Sequence, residues 1–98
     1  MKLLVFLAKG FETIEFSAFI DVMGWAKTDF DCKIDVVTCG LNRKVISSFN
    51  VPVLVDKVID EVSADDYDAL AIPGGFEEFG FYEEAYNEQL LELIRLFD

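Results

Sequence analysis

The chain has 98 residues, 53% of them apolar with ten phenylalanines, a formal net charge of −11 and no histidine. The length allows one small domain, and the acidity argues against nucleic acid and anionic membrane as partners because phosphates are repelled. Without histidine, no Ser-His-Asp or Cys-His pair can be made from this chain alone, and the commonest metal ligand is missing.

The charge is uneven. Residues 1–55 carry six acidic and six basic side chains, whereas residues 56–98 carry thirteen acidic and two basic. A solvated acidic face that aids solubility is the simplest reading of the second half.

Residues 2–8, KLLVFLA, form a near-continuous apolar run of the kind found in a strand covered on both faces. Lys9-Gly10 turns the chain. From Glu12 to about Lys27 apolar residues recur at helical spacing, with Ile14, Ala18, Val22 and Trp25 on one line and Phe16, Phe19, Ile20 and Met23 beside it. So wide a stripe predicts a helix that buries more than one face. Residues 33–39, KIDVVTC, read as a second buried strand, completing a βαβ unit. RKVISSF and VPVLVDKV are β-rich and predict a hairpin or extended excursion around Asn50, with Pro52 near an edge. SADDYD is a turn or short helical connection, and ALAIPGG a short buried strand stopped by Pro73 and two glycines. Residues 83–97 predict one helix, whose end LLELIRLF is apolar nearly all round and should meet neighbours on more than one side.

The order β-α-β-hairpin-β-α opens a doubly wound α/β fold with a mainly parallel sheet. Only three segments read as central strands, where such folds use about five or six. Residues 1–98 are therefore expected to be the N-terminal half of a single domain, the remainder lying on a separate or cleaved segment. The apolar surplus then belongs to surfaces that the second half covers. Left uncovered, those surfaces and the sheet edge should make the chain poorly folded alone. No run approaches the length of a transmembrane helix, and MKLLVFLAKGFETIE lacks the longer apolar core and cleavage site of a signal peptide. A cytoplasmic location is expected, with Cys32 and Cys39 reduced and their six-residue gap unlike a C-x-x-C site.

In open α/β sheets, ligands bind beyond the carboxyl ends of the strands. Two turns fall there: Glu12 and Glu15 after the first strand, and Pro73-Gly74-Gly75 after the last. If these strands are neighbours, the two turns face one crevice. Glu15 can be a first-turn glutamate that favours the positive helix end. Alternatively it is a carboxyl group in an apolar crevice, whose pKa rises and which donates a hydrogen bond to an anion or acts as a general acid. Glu12 is expected to be exposed, with a capping or rim role. Gly74 and Gly75 can be a tight turn or bare N–H groups for a substrate oxyanion. Cys39, at the same edge, is read as a small buried hydrophobe rather than a reactive thiol. AKGFETIE matches neither G-x-G-x-x-G nor G-x-x-x-x-G-K-[ST] and lacks a hydroxyl-rich flavin-phosphate loop, so no cofactor and no metal are expected.

LLVFLAKGFETIEF, the following helix with DVM, and YDALAIPGG together resemble the N-terminal half of the ThiJ/PfpI family, which includes protein deglycases and intracellular proteases and amidases. The resemblance runs across almost all 98 residues. It implies a flavodoxin-like three-layer sandwich, usually homodimeric, with a nucleophilic cysteine on a strained elbow. Glu15 matches the family's buried glutamate, which hydrogen-bonds the cysteine sulfur, and Gly74-Gly75 matches its oxyanion turn. Neither Cys32 nor Cys39 matches the nucleophile, which in the family follows a later strand. The resemblance thus implies a chain that supplies the acid and the oxyanion turn to a cysteine on a complementary C-terminal segment, for protease/amidase- or glyoxalase/deglycase-like chemistry. The alternative is a non-catalytic redox-sensing, chaperone-like or regulatory member of the same fold.

Overall fold

A computed structural model of the protein describes residues 1–97. The described residues form six strands and three α-helices, in chain order β1 (Lys2–Phe6), α1 (Thr13–Asp29), β2 (Asp35–Gly40), β3 (Lys44–Ile46), β4 (Pro52–Leu54), β5 (Lys57–Val58), β6 (Ala69–Ala71), α2 (Phe81–Ala85) and α3 (Glu88–Leu96). Short 3₁₀ turns lie at Ser48–Asn50, Ile59–Glu61, Ala64–Asp66 and Glu77–Phe79.

The main sheet has the order β5-β2-β1-β6, and all three pairings are parallel. β1 is central, with Leu4 opposite Val37 on one side and Leu70 on the other. Its apolar run follows from that position, since successive side chains point to opposite faces and both faces are covered. Leu4, Phe6 and Ala8 pack with Cys39, Ile59, Leu90 and Leu93, so α3 covers this face. Val5 and Leu7 pack with Phe11, Val45 and Val55, with Phe16 and Phe19 of α1 against them. The three layers are thus α1 with the hairpin, the sheet, and α2 with α3, a flavodoxin-like α/β arrangement.

β3 and β4 form the expected hairpin as a separate antiparallel pair, with Pro52 opposite Ile46. Its continuation differs from expectation. Lys57–Val58 leaves the hairpin and adds a fourth parallel strand beside β2, pairing Cys39 with Lys57 and Gly40 with Val58. Two residues are too few to show a period, which is why this strand is silent in the sequence.

The helix expected over 83–97 is two helices. Asn87 divides them, its side-chain oxygen accepting from the N–H groups of Gln89 (2.8 Å) and Leu90 (3.2 Å). This N-cap starts α3 afresh. Nor is the end of α3 covered all round: Leu90 and Leu93 are buried while Leu96 is exposed. α1 departs further from expectation, because no residue in it is buried. Its sheet-facing side chains are half-buried, and Ile14 and Trp25 remain 70% and 56% exposed.

Candidate functional site

β1 and β6 run parallel and adjacent, so their carboxyl ends deliver two turns to one place. The turn after β1 passes through Gly10, at φ 74°, to Phe11 and the start of α1. The turn after β6 is Ile72-Pro73-Gly74-Gly75. An isolated antiparallel bridge joins Phe11 to Gly75, and the Glu12 N–H donates to the Gly74 carbonyl at 2.7 Å. In return, the Gly74 N–H donates to Glu15 Oε1 at 3.2 Å. Glu15, Gly74 and Gly75 are therefore brought together.

Glycine is required at Gly75. A Cβ there would collide with Phe81 Cδ1 and lie 2.5 Å from the Gly10 carbonyl oxygen, well inside contact distance. At Gly74 a Cβ would meet only the Glu15 carboxylate, at 3.5 Å. The close packing of the turn thus resides in Gly75, whereas Gly74 contributes its N–H.

The two glutamates differ from expectation in exposure. Glu15 is exposed within this chain and Glu12 is half-buried. Glu12 occupies the N-cap position of α1, but its side chain makes no capping hydrogen bond. Its carboxyl is held above the usual carboxylate range, first by a hydrogen bond shared with Glu15, then by desolvation and by repulsion from the Glu15 charge. Glu12 thus keeps its proton to higher pH than an isolated glutamate does.

Two further connections hold this edge. Thr13 Oγ1 lies 2.7 Å from Ser47 Oγ, and the Thr13 N–H donates to Ser48 Oγ at 3.2 Å, so the hairpin tip is tied to the first turn of α1. The Ser48 N–H donates to the Phe11 carbonyl (2.8 Å), and the Gly10 N–H to that of Ile46 (2.8 Å). On the other side the Lys9 N–H donates to Glu84 Oε1 at 2.8 Å, and the Lys9 ammonium pairs with Glu83. Sequence reasoning missed both. The one visible signal is the buried Ser47-Ser48 pair inside an otherwise apolar, β-rich run.

Cys39 behaves as read, as part of the core. It is fully buried, and burial, with a smaller effect of the Glu61 charge, pushes its thiol up to about 11. Cys32 is exposed in the loop before β2. Among the described residues no helix is long and apolar enough to cross a membrane.

The comparisons with known proteins agree with the geometry. The profile of the DJ-1/PfpI family matches residues 1–97. The chain belongs to this family. It is 31% identical over 94 residues to protein DJ-1 homolog B of Arabidopsis thaliana, covering 96% of this chain and 20% of that protein. Among solved structures it superimposes on Drosophila melanogaster DJ-1beta with a TM-score of 0.77 at 31% identity, covering 96% of this chain and 47% of the other. On Schizosaccharomyces pombe DJ-1 the TM-score is 0.76 at 28% identity, covering 99% and 52%. The chain thus spans about half the length of these solved relatives and one fifth of the curated one.

Proposed function

We propose that residues 1–98 are the N-terminal half of a cysteine-dependent DJ-1/PfpI domain, acting with a complementary segment that carries the nucleophile. The observation that supports this most directly is the Gly74 N–H to Glu15 hydrogen bond at 3.2 Å. It fixes one carboxyl oxygen of Glu15 beside the oxyanion turn and leaves the other to donate a hydrogen bond to a cysteine sulfur. With the Gly74 N–H directed at Glu15, the oxyanion role falls to Gly75. The thiolate adds to a carbonyl carbon, a C–S bond forms, and the π electrons move to the oxygen, which accepts from the Gly75 N–H. The reaction class is covalent cysteine chemistry on a small carbonyl compound or amide.

The complementary half covers the free edge of β6 and the exposed faces of α1 and α3, and the completed domain pairs as a homodimer. Half coverage of the solved relatives supports the first statement, and the uncovered apolar residues of α1 support both.

The test is to combine this chain with the complementary half, titrate thiol alkylation against pH, and measure turnover on glyoxals and amides. Glu15→Gln is expected to weaken thiolate formation and lower turnover by roughly 10²- to 10⁴-fold, the range of an acid–base contribution. Unchanged alkylation and turnover in this variant would reject the catalytic role of Glu15.

A further inference from the structure

An aromatic cluster of Phe49, Phe79 and Phe76 stands beside the turn after β1, and the proposed chemistry does not use it. Phe49 sits at the tip of the β3–β4 hairpin with φ 57° and ψ 32°, followed by Asn50 at φ 64°. Two consecutive non-glycine residues in the left-handed region are costly and persist only where surrounding contacts impose them. Here those contacts are the hydrogen bonds from Thr13 to Ser47 and Ser48. The result is a phenyl ring left 80% exposed. It stands 4.8 Å, centroid to centroid, from Phe79, which lies 6.4 Å from Phe76.

Phe79 also abuts the turn after β1, since a Cβ on Gly10 would lie 2.6 Å from its carbonyl oxygen. Phe81, next in the same segment, closes on Gly75. The backbone of Phe79 thus borders the turn after β1, and its ring, with that of Phe49 against it, stands on segments that flank the turn carrying the candidate chemistry. Glu77 and Glu78 lie on the same turn as Phe79 and give the surroundings a negative charge.

We propose that Phe49 and Phe79 form the wall that determines substrate specificity at this site, accepting a neutral aryl group next to the reacting carbonyl and disfavouring anionic substrates. This rests on the reading of Glu15 and Gly75 as the reacting centre. Offset and edge-on contacts with exposed phenyl faces favour a planar ring over a methyl group, and the surrounding carboxylates repel a negatively charged one.

The test separates binding from chemistry. Benzamide, acetamide and benzoate are titrated by NMR into the chain combined with its complementary half. Benzamide is expected to bind about 3- to 10-fold more tightly than acetamide, the size of an aromatic pair contribution, and more tightly than benzoate. Phe49→Leu and Phe79→Leu, which keep apolar bulk, should each reduce the benzamide preference to within about 2-fold, while Phe49→Tyr retains it. Glu15→Gln should lower turnover by roughly 10²- to 10⁴-fold and leave the preference intact. Equal binding of benzamide and acetamide overturns the proposal, as does a preference that survives both leucine variants. A leucine variant that changes only the oligomeric state also overturns it, because the ring then serves an interface. If turnover survives Glu15→Gln, the catalytic reading fails instead, and the aryl preference is decided separately by the leucine variants.

Discussion

The two faces of the main sheet are covered to different degrees by the same chain. On one face α3 inserts Leu90 and Leu93 against Leu4 and Phe6, and all four are buried. On the other, α1 is 17 residues long yet buries none of them. A cavity of ≈ 390 Å³ remains between α1 and the sheet, lined by Phe16, Ile20, Met23, Val36 and Thr38 among others. Length and apolar content therefore do not measure what a helix contributes. A short helix with a defined cap and one filled face is better integrated than a long one with no buried residue.

The largest expected effect comes from truncating the filled face. Leu90→Ala should cost about 2–5 kcal/mol of unfolding free energy, while Ile20→Ala on α1 should cost well under half as much, as measured by denaturant titration. Equal losses would show that α1 is as well packed as α3. Next in size is Gly75→Ala, where the added Cβ meets Phe81 and the Gly10 carbonyl. It should destabilise by about 1–3 kcal/mol through overpacking. Gly24→Ala should do the opposite. Gly24 lies on α1 with nothing within 4 Å of an added Cβ, so the substitution should stabilise by about 0.5–1 kcal/mol through helix propensity. A loss at Gly24 would mean that α1 is more closely covered than its exposure indicates.

The smallest effect is a pH dependence. Glu12 has a raised pKa in the folded protein, caused first by its hydrogen bond with Glu15. The folded state therefore holds this proton more tightly than the unfolded chain does. The resulting stabilisation is fully present below the ordinary glutamate range and is lost as pH rises through the raised value. Compared with Glu12→Gln, the native chain should lose stability over that window. Parallel pH profiles for the two would mean that folding does not raise the Glu12 pKa.

Much of this was legible in the sequence, for identifiable reasons. The run KLLVFLA predicted a doubly covered strand, and β1 is one. YDALAIPGG placed a glycine turn at the end of a neighbouring strand, and the parallel pairing of β1 with β6 then puts Gly74 within hydrogen-bonding distance of Glu15. The misses have physical causes. The helical period of α1 indicated what its surface could bury, but periodicity does not say whether a neighbour covers that surface, and no residue of α1 is buried. The apolar run through residues 83–97 concealed the Asn87 cap, although asparagine before a helix-forming stretch is a recognisable start signal. The exposures of Glu12 and Glu15 depend on how two turns meet across the sheet, which local pattern does not encode.

The hydrogen bond from Gly74 to Glu15 joins residues 59 positions apart. Closing so long a loop costs entropy that is recovered only once β6 docks on β1. β6 has three residues and lies at the end of the sheet order, so its detachment is the least costly opening of the sheet on that side. Each such event separates the glutamate from the glycine turn and withdraws Leu70 from the core beneath α3, while leaving the β1–β2 pairing intact. In this chain by itself the candidate site is therefore expected to be among the last features to form and the first to dissolve. Amide exchange at Gly74 would report the docking of β6 and the integrity of the site as one event.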